Sequence, residues 1–140
     1  MKDKVVMITG ANSGIGKAAS LALAKMGANV VMVTRNKEKG EAARSEIIRE
    51  SQNGSVDLLL ADLSSIESVR SLATEFQKKY SKFHVLINNA GLFNQRRNVT
   101  TDGYENTFAT NYLAPFLLTN LQLPILKASA PSRIINVSSV

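Results

Sequence analysis

Short apolar runs alternate with longer amphipathic stretches along this chain. Runs of apolar and β-branched residues predict five strands, which cover Val5–Thr9, Val30–Val33, Val56–Ala61, Val85–Ile87 and Arg133–Val137. Apolar residues at helical spacing predict helices over Gly14–Met26, Lys37 to about Ser51, a stretch that opens at Ser64, and about Asp102 to Lys127. Gly27 and the pair Asn53-Gly54 mark the ends of the first two helices.

The strands are continuously apolar, and helical stretches separate them. This pattern indicates a parallel sheet covered by helices on both sides. Because crossovers between parallel strands are right-handed, we predict a doubly wound, Rossmann-type α/β fold that is incomplete at its C-terminal side. A length of 140 residues allows one domain, 1–140. Ligands of such folds bind at the carboxyl ends of the strands, where we expect the functional residues.

The third predicted helix has its own start signal and an apolar face. Ser64 is followed three residues later by Glu67, which is typical of a capping box. The helix then presents an apolar stripe at helical spacing, formed by Val69, Leu72, Ala73 and Phe76. We expect this stripe to pack against the sheet.

A glycine-rich loop joins the first strand to the first helix. Gly10, Gly14 and Gly16 lie where the chain must turn tightly and approach a ligand without an intervening Cβ atom. The helix that begins there offers free N–H groups and the positive end of its dipole to phosphates. The strand-loop-helix context predicts a dinucleotide pyrophosphate site. A tight turn that binds no phosphate is the alternative.

The end of the second strand indicates which nicotinamide cofactor would bind. NAD-binding folds place a carboxylate here to hold the ribose 2′-hydroxyl, whereas this chain has Val33-Thr34-Arg35-Asn36. Arg35 can hold a 2′-phosphate through a forked, charge-assisted contact. We therefore predict NADP (NADPH) as the cofactor.

Composition excludes several classes of function. The net charge of +6 comes from 17 basic and 11 acidic residues, but no run of like charge or basic-aromatic stretch supports nucleic-acid binding. With no cysteine and a single histidine, we expect neither disulfides nor a metal site. No apolar stretch is long enough to cross a bilayer. We therefore expect a protein without an integral membrane segment, located in the cytoplasm.

Pro115 lies four residues after Asn111, within the last helical stretch. Proline has no N–H, so the α-helical hydrogen bond to the Asn111 carbonyl cannot form. We expect a free carbonyl and a bend at this point. A simple proline kink without a function is the alternative. Pro124 should free the carbonyl of Asn120 in the same way.

Several motifs follow one another in a fixed order along the chain. They are the loop Thr9–Gly16 (Thr-Gly-x-x-x-Gly-Ile-Gly), Asp62 with Leu63, Asn88-Asn89-Ala90-Gly91, Asn111, and Asn136-Val137-Ser138-Ser139. Together they resemble the short-chain dehydrogenase/reductase family. Within that family, three segments look like the retinol-dehydrogenase-like branch, namely His84–Ile87, Thr101–Glu105 and Phe116–Thr119.

The resemblance implies an oxidoreductase that interconverts a small-molecule alcohol and a carbonyl by hydride transfer. By the family pattern, Ser139 is the catalytic serine that orients the substrate oxygen, while strand alternation would point Ser138 to the opposite face. The backbone carbonyl of Asn111 would support a water-linked proton path. The expected cofactor contacts are Gly10, Asn12, Ser13, Gly14, Ile15, Gly16, Arg35, Asn36, Asp62, Leu63, Asn89, Ala90 and Gly91.

The family's Tyr-x-x-x-Lys pair, the general acid/base and its neighbour, is not found in this sequence. None of the tyrosines (Tyr80, Tyr104 and Tyr112) has a lysine four residues later. We therefore expect this chain to carry mainly the cofactor-binding half of a longer enzyme and to be inactive alone. The alternative is a non-catalytic NADP-binding or regulatory module. A homo-oligomer that pairs through the helix containing Asn111 is also an open expectation.

Overall fold

The structure, a computed structural model, describes residues 1–139. Strands and helices alternate through most of the chain. The strands are β1 (Val5–Thr9), β2 (Asn29–Thr34), β3 (Val56–Leu60), β4 (Val85–Asn88) and β5 (Arg133–Asn136). The helices are α1 (Gly14–Lys25), α2 (Lys37–Ser51), α3 (Ile66–Lys79), α4 (Asn106–Phe108), a π-helix (Ala109–Leu113) and α5 (Ala114–Ala128).

All five strands form one parallel sheet in the order β3-β2-β1-β4-β5. Val6 in β1 is paired with Val30 in β2 on one side and with Val85 in β4 on the other. The strand order therefore reverses at β1, and the chain crosses from β3 to β4 on the opposite side of it. The prediction of a doubly wound α/β fold is confirmed, and the reversal creates a crevice at the carboxyl ends of β1 and β4.

The core consists of two apolar layers, one on each face of the sheet. Val6 and Ile8 belong to the layer that includes residues of α1 and α2, whereas Val5 and Met7 belong to the layer that includes residues of α3 and α5. All of β1 is buried, as its continuous apolar sequence predicts. β5 is exposed along its length and forms one edge of the sheet.

The start of α3 differs from the predicted capping box by one residue. Ser65, not Ser64, is the N-cap, and its hydroxyl oxygen accepts a hydrogen bond from the Ser68 N–H at 3.3 Å. Ser64 instead donates its hydroxyl to the Asp62 carboxylate at 2.6 Å, because that acceptor lies two residues before it. The predicted apolar stripe of α3 is buried in the core.

The long helical region begins later than predicted, at Asn106 rather than near Asp102. Residues 98–105 form a closed turn in which Val99 and Glu105 make an antiparallel bridge. The Glu105 carboxylate then accepts hydrogen bonds from the first N–H groups of the helix, so it is the cap. Within residues 1–139, no helix combines the length and apolar character that crossing a membrane requires.

Candidate functional site

The glycine loop lies at the carboxyl end of β1, in the crevice where the strand order reverses. A Cβ atom added to Gly10 would lie 2.9 Å from the Cα of Ala90, and one added to Gly16 would lie 2.2 Å from the Gly10 carbonyl oxygen. Gly10 and Gly14 also have positive φ angles, +65° and +53°, which disfavour other residues. This loop therefore requires glycine for both its backbone shape and its close packing.

Thr9 and Asn89 join the glycine loop to the segment that follows β4. The Thr9 hydroxyl oxygen accepts hydrogen bonds from the N–H groups of Asn89 and Ala90, both at 3.0 Å. The Asn89 side-chain amide donates to the carbonyls of Thr9 at 3.0 Å and Gly10 at 3.2 Å. The Thr9 side chain was not predicted as a site residue, although it directly precedes the first glycine.

Two of the cavities in this crevice contain most of the predicted cofactor residues. The first, of about 170 Å³, is lined by seven of the predicted cofactor residues, namely Gly10, Asn12, Arg35, Asp62, Leu63, Ala90 and Gly91. The second, of about 620 Å³, is lined by Ile15, Asn89, Ala90, Gly91, Leu92, Phe93, Asn111, Val137, Ser138 and Ser139. Because Ala90, Gly91 and Leu92 line both, the cavities are neighbours on either side of the segment after β4.

The first cavity contains one positive and one negative side chain. Arg35 is exposed, and its guanidinium makes no hydrogen bond or ion pair with any residue in 1–139. The Asp62 carboxylate accepts hydrogen bonds from the Ser64 N–H at 3.0 Å and the Ser64 hydroxyl at 2.6 Å. Burial raises the pKa of Asp62, but these hydrogen bonds and the charge of Arg35 outweigh it and lower the pKa overall.

Four predicted cofactor residues line neither cavity: Ser13, Gly14, Gly16 and Asn36. Ser13 is the N-cap of α1, and its side chain makes no capping hydrogen bond. Asn36 is the N-cap of α2, and its side-chain oxygen accepts from the Lys39 N–H at 2.9 Å. This contact commits the Asn36 oxygen to the helix, because N-caps satisfy the free N–H groups of the first turn.

Ser138 and Ser139 both line the second cavity. The prediction that only one of them faces the cleft rested on strand alternation. β5 ends at Asn136, so the two serines follow the strand and its alternation does not apply to them. Ser139 remains the residue that the family pattern selects.

Asn111 lies in the π-helix and contacts the segment after β4 through its side chain. Its amide nitrogen donates to the Leu92 carbonyl at 2.7 Å, and its amide oxygen accepts from the Leu92 N–H at 2.9 Å. The prediction assigned a role only to the Asn111 backbone, so this contact was missed. No sequence signal indicates it, because it joins residues from different elements.

Pro115 lies where the helical hydrogen-bond pattern changes. The π-helix ends at Leu113 and continues directly into α5, whose second residue is Pro115. The Ala114 N–H reaches back to the Ala109 carbonyl, five residues earlier. Such π segments occur often at functional sites. The free Asn111 carbonyl stays a prediction.

His84 lies at the opposite end of the sheet from both cavities, directly before β4. Its Nδ1 atom accepts a hydrogen bond from the Val5 N–H at 2.9 Å. Burial, and then the positive charges of Lys4 and Lys82, lower its pKa. Across residues 1–139, no group of three or more metal-ligating side chains is placed to hold a metal ion.

Comparison with known proteins identifies the family. The family model for short chain dehydrogenases matches residues 4–140. Retinol dehydrogenase 12 of Mus musculus is 47% identical over 137 residues, which are 98% of this chain and 43% of that protein. Retinol dehydrogenase 13 of Homo sapiens is also 47% identical over 137 residues, which are 98% of this chain and 41% of that protein.

A solved structure supports the same assignment. The crystal structure of a metagenomic short-chain oxidoreductase in complex with NADP has a TM-score of 0.88 and 31% identity, and the match covers 99% of this chain and 62% of that one. The present chain spans less than half the length of the curated relatives that it matches. It belongs to the short-chain dehydrogenase family, in the branch that resembles the retinol dehydrogenases.

Proposed function

We propose that this chain binds NADP(H) and forms the cofactor-binding part of an oxidoreductase that interconverts an alcohol and a carbonyl. The observation that carries the proposal is the adjacency of the two cavities. One contains Arg35 and Asp62, the other contains Ser139, and the segment from Ala90 to Leu92 lines both. A dinucleotide has the matching shape, with a charged adenosine end and a reactive nicotinamide end.

The pyrophosphate would bind at the glycine loop. α1 begins at Gly14 and extends for 12 residues, so its first N–H groups and positive dipole end are available to an anion. A Cβ atom added to Gly14 would meet nothing within 4 Å, so this side of the loop is open and a phosphate can come close to the backbone. The fit supports a dinucleotide over a ligand without phosphate.

Arg35 would select NADP over NAD by holding the 2′-phosphate. Its guanidinium makes no hydrogen bond or ion pair within residues 1–139, and it lines the first cavity together with Asp62. The lowered pKa keeps the Asp62 carboxylate ionised, so this side chain would accept a hydrogen bond from the adenine amino group. A structural relative that binds NADP supports this choice.

The nicotinamide would supply the hydride when it is bound. Ser139 would orient the substrate oxygen by hydrogen bonding, and Asn111 would fix the wall of the cleft through Leu92. The proton donor is not assigned within these residues, because the sequence contains no Tyr-x-x-x-Lys pair. We therefore assign binding and positioning, but not proton transfer, to this chain.

A non-catalytic NADP-binding module is the second candidate, because the contacts proposed for Arg35 and Asp62 need no reaction to follow. Both candidates require the 2′-phosphate contact.

Isothermal titration with adenosine 2′,5′-bisphosphate and with adenosine 5′-monophosphate tests that contact directly. The proposal expects the bisphosphate to bind about ten to a hundred times more tightly, from one charged hydrogen-bonding contact. Equal affinities would reject it. An assay of carbonyl reduction by NADPH then distinguishes the two candidates, because an enzyme would reduce the carbonyl and a binding module would not.

A further inference from the structure

The second cavity has an apolar rim and an uncharged lining. Phe93 is 84% exposed and Ile15 is 68% exposed, and both line this cavity with Leu92 and Val137. Among the described residues, none that lines it is charged, although 20% of the chain is charged. The first cavity, in contrast, contains Arg35 and Asp62. The two cavities therefore differ in the ligand chemistry that they can hold.

The second cavity also contains polar groups in addition to its apolar rim. Asn89, Asn111, Ser138 and Ser139 line it, and the serine hydroxyls can hydrogen-bond a carbonyl or hydroxyl group. A ligand with one polar end and an apolar remainder fits both parts of the lining. A charged ligand would lose its hydration without gaining an ionic partner among the described residues.

Phe93 directly follows a residue whose backbone is held by a side chain. The preceding residue, Leu92, is held by the Asn111 side chain at both its N–H and its carbonyl. Leu92 and Gly91 pass between the two cavities. The contact with Asn111 therefore fixes the backbone directly before Phe93, which extends from there at the rim of the second cavity. An exposed aromatic ring buries a large apolar area when a ligand covers it.

We infer that Phe93 is a specificity-determining residue, which packs against the apolar part of a neutral substrate and favours long substrates over short ones. The inference rests on the proposed function, since it takes the second cavity as the place where the substrate lies beside the nicotinamide. Covering the ring with substrate removes apolar surface from water. A short substrate held at Ser139 would not reach the ring and would gain nothing from it.

The test compares wild type, Phe93→Ala and Phe93→Leu in the complete protein chain, with Phe108→Ala as the matched control. Phe108 is also an exposed aromatic residue, 47% accessible, but it lines neither cavity. The first readout is the ratio of kcat/KM for octanal to that for acetaldehyde, with NADPH. Phe93→Ala should lower this ratio about tenfold, and Phe93→Leu should lower it less. Phe108→Ala should leave it unchanged.

A second readout needs no turnover, so it separates this inference from the proposed function. Calorimetry measures octanol binding to the NADPH-loaded protein, and Phe93→Ala should raise the Kd about tenfold. If no carbonyl is reduced but octanol binding still depends on Phe93, the proposed reaction fails, whereas the packing of Phe93 against an apolar ligand stands. If octanol does not bind wild type, or binds both forms equally, the inference is overturned. Equal losses for octanal and acetaldehyde would also overturn it, because they indicate a merely structural role.

Discussion

The side chain of Asn111 hydrogen-bonds to both backbone groups of Leu92. It donates to the carbonyl at 2.7 Å and accepts from the N–H at 2.9 Å, as a neighbouring strand would. The contact ties the π-helix to the segment that separates the two cavities. Only an amide side chain has both a donor and an acceptor in this fixed geometry.

Replacing Asn111 with alanine should loosen that segment. Both hydrogen bonds are lost, and since the site is exposed, we expect a cost of about 1 kcal/mol in the free energy of unfolding. Hydrogen exchange at the Leu92 amide should become faster, because its acceptor is removed. Asn120→Ala is the control, since the Asn120 side chain hydrogen-bonds to a carbonyl within its own helix. An unchanged Leu92 exchange rate in Asn111→Ala would contradict the assignment.

Gly16→Ala should destabilise the protein and weaken NADPH binding together. The added Cβ would lie 2.2 Å from the Gly10 carbonyl oxygen and 2.5 Å from the Asn89 amide nitrogen, so the glycine loop must shift. Overpacking of this kind costs about 1–3 kcal/mol, which urea denaturation would measure.

Gly54→Ala provides the comparison for that variant. Nothing lies within 4 Å of a Cβ atom at Gly54, and the turn is distant in sequence from the glycine loop. Its urea midpoint and NADPH affinity should both match those of wild type. If Gly16→Ala also behaved like wild type, the close packing described for the glycine loop would be refuted.

His84 should make stability depend on pH. The Val5 N–H donates to Nδ1, which requires an unprotonated imidazole nitrogen, and burial with the charges of Lys4 and Lys82 lowers the pKa. The folded pKa is therefore below the unfolded value of about 6.5. The unfolded state binds the proton more readily, so the stabilisation is present above about pH 6.5 and is lost as pH falls through the folded pKa.

Urea denaturation at pH 7.5 and 5.5 measures this effect. The sequence has one histidine, so His84→Gln removes the only side chain with an ordinary pKa in that range. We expect wild type to lose up to about 1 kcal/mol between the two pH values, the worth of one hydrogen bond. His84→Gln should lose less. An equal pH dependence in both proteins would show that His84 is not responsible.

Local patterns predicted the architecture well. The bounds of β1 and α2 match the prediction, and the other strands differ by a residue at one or both ends. The apolar stripe of α3 is buried as expected. These features depend on periodicity and on turn residues that act over a few positions, which a single sequence contains.

The features that the sequence did not predict depend on contacts between distant segments. Leu92 and Asn111 meet across 19 residues, and Thr9 meets Asn89 across 80. The shift of the α3 N-cap from Ser64 to Ser65 also results from a side-chain contact, here between near neighbours, because Asp62 accepts a hydrogen bond from Ser64. The periodicity of apolar residues does not indicate which of several polar side chains forms such a hydrogen bond.

The cofactor preference of Arg35→Asp is the most direct test of the central claim, that this chain holds NADP through Arg35. Calorimetric titration would give the Kd for NADPH and NADH in wild type, in Arg35→Asp, and in Arg70→Asp, a matched charge change on α3 outside both cavities. Wild type and Arg70→Asp should prefer NADPH by about ten- to a hundredfold. Arg35→Asp should abolish or reverse that preference, because a carboxylate repels the 2′-phosphate and accepts from the 2′-hydroxyl. An unchanged affinity of Arg35→Asp for NADPH would contradict the claim.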